Sequence, residues 1–203
     1  TSHKFRQHQI FFYQRKHNSY GPPPQTAPSH PHTEIFYDNG QPKCGPSCGP
    51  SCKCGKYTEI WNNVFMEYFK NNKGEYTPLA QKNVDTGMGL ERVCSIMQGA
   101  NSVYESSIFK GLLSKIEEIS GQRYEGENIR AFRIIADHLR AATFILADGV
   151  IPAKVGQGYI LRRLIRRASR YMSKLGYDEL FMQKIAEVVI DEWGQSYPEL
   201  IRN

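Results

Sequence analysis

Asn83-Val84-Asp85-Thr86-Gly87-Met88-Gly89-Leu90-Glu91-Arg92 is the stretch on which the reading of this chain turns. Gly87 and Gly89, spaced by one residue, let a backbone approach a ligand closely. A helical pattern starts right behind them, and its Arg92 can project back towards that ligand. Arginine is permanently charged and offers a planar fork of donors, which suits a phosphate. Asp85, just ahead of the glycines, is placed to hold a cationic amine. The same residues also read as a strand-to-helix turn with a surface arginine, and Gly-x-Gly alone does not separate the two readings.

On the C-terminal side, apolar residues recur at helical spacing over Gly89 to Gln98, Ser106 to Ile119, Ile129 to Ala147, Gly158 to Leu175 and Asp178 to Trp193. In the third of these, Phe132, Ile135, Ala136, Leu139 and Thr143 share one face. Gly121, Gly149 to Pro152 and Gly176 punctuate the run. On the N-terminal side the pattern is that of strands: Ile10 to Tyr13, Thr33 to Asp38 ended by Asn39-Gly40, Trp61 to Tyr68, and a hairpin partner near Tyr76 to Leu79. Helix is the rival reading for Tyr57 to Lys70. Gly21 to His32 carries Pro22, Pro23, Pro24, Pro28 and Pro31 and reads as a loop, neither helix nor central strand. Strands followed by helices make an α+β chain, with a boundary expected near Tyr104.

The 203 residues hold 40% hydrophobic residues and a net charge of +6. That is enough for one medium domain or two small ones. There is no run of eighteen apolar residues to span a membrane and no signal-like start, so a cytoplasmic protein is expected. The positive charge is concentrated. Lys154, Arg162, Arg163, Arg166, Arg167, Arg170 and Lys174 follow one another with no acid between Ile151 and Tyr177. Arg162, Arg166 and Arg170 recur at i, i+4 and i+8 and form one stripe, with Leu161, Leu164, Ile165 and Ala168 as the buried side. A solvated helix face usually mixes signs, whereas this one suits a polyanion.

Four of the five cysteines, Cys44, Cys48, Cys52 and Cys54, fall in one Gly-Pro-rich segment. In a reducing compartment such clustering favours a structural Zn²⁺ over disulfides, against a reduced, metal-free loop. Cys94 reads as a small core residue. Asp137 and His138 are adjacent on a helix, where neighbours point about 100° apart, so a structural anchor is preferred to acid–base chemistry.

The decisive stretch resembles motif 3 of class II aminoacyl-tRNA synthetases, and in its full length that of the alanyl-tRNA synthetase family. Three further stretches agree in order: Glu59 to Met66, Arg133 to Arg140, and Ala147 to Val150 with Gly158 to Ala168. The resemblance runs from about Thr33 to Leu175. It implies a partial antiparallel class II sheet followed by an α-helical tRNA-binding domain, residues 1–104 and 105–203. It implies ligation of alanine to tRNA(Ala) through an alanyl-adenylate made from ATP with Mg²⁺. By the same resemblance Arg92 binds the ATP tail, Asp85 grips the alanine ammonium group, Gly87 and Gly89 floor the pocket, and Asn62 and Val64 line it. The basic helix, with Asp148 and Lys154 ahead of it, would hold the acceptor stem. Some alanyl enzymes carry a similar Cys-rich insertion.

Two departures accompany the match. Thr26 to His32 stands where the family has a Gly-Pro-Cys-Gly-Pro loop, so His30 and His32 read as loop histidines. Motifs 1 and 2 are not found, so the chain is expected either to be part of a longer synthetase, with the remainder of that chain as its partner, or to be a degenerate relative. A non-catalytic RNA-binding module is the alternative function, and a zinc-stapled protein-interaction domain a third.

Overall fold

A computed structural model describes residues 19–20, 28–71 and 73–203, with side chains from His32 onwards. The strand expected at Ile10 to Tyr13 lies outside the described residues. Packing divides the chain into two units, one ending at Val93 and one running from Cys94 to Asn203. The division precedes Tyr104 because Cys94 packs against the helical core, drawing the end of its helix into the second unit.

The first unit is an antiparallel sheet in the order β1–β2–β3–β4, formed by Ser19–Tyr20, Pro28–Asp38, Tyr57–Lys70 and Tyr76–Met88. Tyr57–Lys70 is therefore strand, not helix: its aromatic and β-branched side chains suit a pleated surface with partners on both edges. The strands also run longer than their apolar alternation suggested. β4 continues beyond Leu79: after a register irregularity between Pro78 and Asn83 the rungs to β3 resume and run from Asn83 to Met88, because ladder hydrogen bonds do not depend on side-chain polarity. β2 corrects the loop reading of Gly21 to His32. It begins at Pro28 and lies between β1 and β3, so it is a central strand despite two prolines. Pro28 opens the strand, and Pro31 falls inside the register irregularity between Ser29 and His32, where no regular rung to β3 asks for its missing N–H.

The second unit holds α2 to α6, after α1 (Leu90–Met97) has left the sheet. These are Ser107–Ser120, Ile129–Ala147, Gly156–Lys174, Met182–Trp193 and the single turn Glu199–Arg202. α3 has the expected limits. α4 starts two residues earlier than read, and α5 starts at Met182 rather than Asp178, because Tyr177 to Phe181 forms the non-helical approach to it. Phe132, Ile135 and Ala136 of α3 are fully buried against Leu112, Ile116, Ala168, Met172, Ile185 and Val189. Ala142, not Thr143, completes the buried face; Thr143 turns its hydroxyl back to donate to the Leu139 carbonyl at 2.8 Å.

Gly158 lets the segment before α4 fold back on that helix. A Cβ there would meet the Ile151 carbonyl oxygen at 2.4 Å and the Ala153 Cβ at 2.7 Å. The Ala153 N–H donates to the Gly158 carbonyl at 3.0 Å across the same contact. Among the described residues no helix is long and apolar enough to cross a membrane.

Phe132 has no exposed surface and stacks at a tilt on Tyr124, with ring centroids 5.7 Å apart. Phe132→Ala is expected to cost about 3–5 kcal/mol by loss of transfer energy plus a cavity. Guanidinium unfolding followed by far-UV circular dichroism checks this through the drop in midpoint of the helical transition.

Candidate functional site

The ladder registers decide which side chains of the sheet act together. β3 pairs Asn62 with Glu34 of β2 and Gly87 of β4; two residues on, it pairs Val64 with His32 and Asp85. Side chains alternate along a strand and directly opposed residues share a face. Glu34–Asn62–Gly87 and His32–Val64–Asp85 are thus two neighbouring rows on one face. Asn62, Val64, Asp85 and Gly87, four positions singled out in the sequence, are brought together there. Val64 is buried, Asp85 is exposed, and a Cβ on Gly87 would meet nothing within 4 Å, which leaves open space above its row.

The opposite face locks this register. The Trp61 indole N–H donates to Thr86 Oγ1 at 2.5 Å, and the Thr86 hydroxyl lies 2.7 Å from Asn63 Oδ1, to which it donates. Asn63 Nδ2 in turn donates to Thr33 Oγ1 of β2 at 3.4 Å. A chain of polar contacts therefore crosses all three long strands.

Only Gly89 of the decisive stretch is a true turn residue, since β4 runs through Gly87 to Met88. The Gly89 N–H donates to the Ile60 carbonyl at 3.0 Å, so the first turn of α1 starts against β3. A Cβ on Gly89 would come within 3.2 Å of Arg92 Cδ, so this glycine makes room for the arginine's aliphatic stem. Arg92 Nη1 donates to the Glu59 carbonyl at 2.8 Å and sits 3.5 Å from Glu59 Oε2, with its side chain half exposed. The structure thus places Arg92 at the Glu59 end of β3.

In the helical unit, Lys154, Tyr159, Arg162, Arg163, Arg166, Arg167 and Arg170 line a single open groove of about 740 Å³. Leu161 and Ala168 hold the opposite side of α4 in the core, fully buried. Arg163 lies over the Tyr159 ring and Arg167 over that of Tyr171, at 5.7 and 6.0 Å. Among the described residues no carboxylate lies within ion-pair distance of these six cations. Like charges without counter-charges repel, so the face is poised for a polyanion. Asp148, exposed at the end of α3, does not line the groove.

The cysteine loop closes on itself between β2 and β3. The sulfurs of Cys44, Cys48, Cys52 and Cys54 all lie within 4.8 Å of one another, with Cys44–Cys52 at 3.3 Å and Cys48–Cys54 at 3.7 Å. Four thiolates bound tetrahedrally at ~2.3 Å to Zn²⁺ stand about 3.8 Å apart, so the donor set fits that ion. The loop's base is tied by Lys56, which is buried and donates to Asp38 Oδ1 at 2.6 Å and to the Gln41 carbonyl. The backbone N–H of Lys56 pulls the Cys54 thiol down to about 7, towards the thiolate that a metal requires, while hydrogen bonding to Cys52 pushes Cys44 up to about 12.

Residues 2–203 match the family model of class II (A) tRNA synthetases. The chain belongs to that family. Alanine–tRNA ligases are among its relatives: that of Borrelia hermsii is 49% identical over 196 residues, covering 94% of this chain and 33% of the relative. That of Treponema denticola is 50% identical over 199 residues (96% and 33%), and that of a Thermotoga strain 44% over 193 (93% and 22%). The alanyl resemblance read at Asn83 to Arg92 is borne out. The chain spans about a third or less of these relatives' length.

For this alanyl-type synthetase chain, sequence reasoning missed His32 and Glu34 as residues of the site face. His32 is no loop histidine but a buried strand residue, 8% exposed, with Nε2 3.1 Å from Glu34 Oε1. The proline count hid it, although Thr33-Glu34-Ile35 was already legible as strand. A second correction concerns Asp137 and His138. Their Cβ bonds diverge, yet His138 Nδ1 reaches Asp137 Oδ2 at 2.9 Å, because side-chain torsions fold the two tips together.

Proposed function

We propose that the chain carries part of an alanine–tRNA ligase: the amino-acid floor of the activating site, and a helical unit that holds tRNA(Ala). The observation that carries this is the pair of rows Glu34–Asn62–Gly87 and His32–Val64–Asp85, which set a carboxylate, a small apolar floor and open space side by side. The Asp85 carboxylate would pair with the alanine ammonium group. Val64 and Asn62 would line the side-chain pocket, where excluding one methylene is worth about 1–3 kcal/mol. Gly87 would leave height for the adenylate. Arg92, at the start of α1, would bind the ATP tail and offset the charge that develops as pyrophosphate leaves. Mg²⁺, when bound with ATP, would neutralise phosphate charge. The remainder of a full-length synthetase would supply the other walls of the site.

The test is alanine-dependent ATP–pyrophosphate exchange, with serine and glycine as comparisons. Exchange that prefers alanine and is abolished by Asp85→Asn supports the reading. A folded chain without exchange moves it to the second reading, a tRNA-binding module without activation. That reading draws on the groove of the helical unit, which needs nothing from the sheet.

Arg162, Arg163, Arg166, Arg167, Arg170 and Lys154 would contact the acceptor-stem phosphates, with Asp148 outside that groove. Each phosphate contact contributes roughly 0.7–0.9 to the slope of log affinity against log salt. Arg166→Ala with Arg170→Ala is therefore expected to weaken tRNA(Ala) binding and to lower that slope by about one to two. A filter-binding titration over several salt concentrations reads both, and an unchanged slope rules out the assignment.

Cys44, Cys48, Cys52 and Cys54 would hold a structural Zn²⁺ that orders a loop with no core of its own. One zinc per chain by elemental analysis, lost in Cys48→Ser, is the expected result. Sub-stoichiometric zinc in protein purified without chelator goes against it.

A further inference from the structure

We infer that His32 is a further recognition residue on the amino-acid face, accepting a hydrogen bond from the substrate's ammonium group through Nδ1. The inference rests on reading this face as an amino-acid site and extends it to a residue on a third strand. His32 is more than nine-tenths buried, and its Nε2 lies 3.1 Å from Glu34 Oε1. An ionised carboxylate only accepts, so Nε2 carries the proton, and in the neutral ring Nδ1 is then a lone-pair acceptor. That Nδ1 is buried with no hydrogen-bond partner among the described residues. In the adjoining row Asn62 Oδ1 is likewise a buried acceptor without a partner.

Leaving buried acceptors unpaired costs roughly 1–3 kcal/mol each, so each such atom calls for a specific explanation. Both atoms lie on the face that carries the Asp85 carboxylate. The strands bearing His32 and Asp85 flank β3 and stand about 10 Å apart, twice the ordinary spacing. A small ligand seated above Val64 reaches the side chains of both. Two neutral acceptors and one carboxylate ask for a compact, positively charged group with several N–H donors. A primary ammonium group has three. A carboxylate or phosphate would face the Asp85 carboxylate and the two unpaired acceptors, and is disfavoured by charge. Glu34 acts as a positioning residue, fixing the ring's tautomer and orientation through Nε2.

Equilibrium dialysis of this chain with three small ligands tests the assignment. Alanine carries both charged groups, alaninamide keeps the ammonium alone, and propionate keeps the carboxylate alone. Wild type is expected to bind alanine and alaninamide, with propionate much weaker. His32→Phe should raise the Kd for alaninamide about tenfold, the worth of one such hydrogen bond. His32→Asn sets an amide oxygen near the place of Nδ1 and should restore binding to within about threefold. A packing role would instead weaken all three ligands together, and His32→Asn would not rescue it. If Asp85→Asn abolishes alaninamide binding while His32→Phe leaves it unchanged, the amino-acid site stands and the role of His32 falls. If wild type binds neither alanine nor alaninamide, the amino-acid reading falls and takes the inference with it.

Discussion

The two-sided pairing of β3 is the constraint from which the rest of the sheet unit follows. Tyr57–Lys70 is hydrogen-bonded along both edges, to β2 and to β4, and the two registers meet at Asn62 and Val64. Because side chains alternate with a period of two, a slip of one residue in either ladder would carry one of the outer strands' contributions to the opposite face. Asp85 would leave Val64, or His32 would leave it from the other side. The contacts Trp61–Thr86, Thr86–Asn63 and Asn63–Thr33 oppose such a slip, since each requires the observed register. They lie on the opposite face from the proposed site, so the residues that hold the geometry are separate from those that would use it.

The helical unit solves a different problem, which is to present six cations on one surface without their mutual repulsion unfolding it. α4 does so by turning Leu161, Ala168 and Met172 into the core beside α3. The hydrophobic gain on one side offsets the electrostatic cost on the other. Tyr159 and Tyr171 stand beneath Arg163 and Arg167, so the planar guanidiniums rest on rings. Lys154 joins the groove only because Gly158 lets the preceding segment fold back on the helix.

A local tie also governs the cysteine loop. Lys56 is buried at its base and holds the Asp38 carboxyl below the usual carboxylate range. The Asn39 N–H donates to the Lys56 carbonyl at 3.1 Å, so the ends of β2 and β3 are clamped before the loop begins. Four sulfurs then gather in a segment that has almost no apolar side chains of its own to pack, which is the circumstance in which a metal contributes most to order.

What the sequence determined by itself is what depends on neighbours along the chain. The period of 3.6 placed α3 at its observed limits, the acid-free run of cations from Lys154 to Lys174 contained every cation of the groove, and Asn39-Gly40 marked the end of β2. Cysteine spacing was enough to anticipate that four thiols would meet. Tertiary structure decided what depends on partners far away in sequence. Proline content argued against a strand at Pro28 to His32, yet flanking strands supplied enough ladder bonds for β2 to tolerate a bulge. The polar half of β4 carried no apolar alternation to announce it as strand. Most of all, no local pattern could say that His32, Asn62, Val64 and Asp85 share a face, because register between strands is set by pairing across the sheet, where one residue of slip reverses the answer.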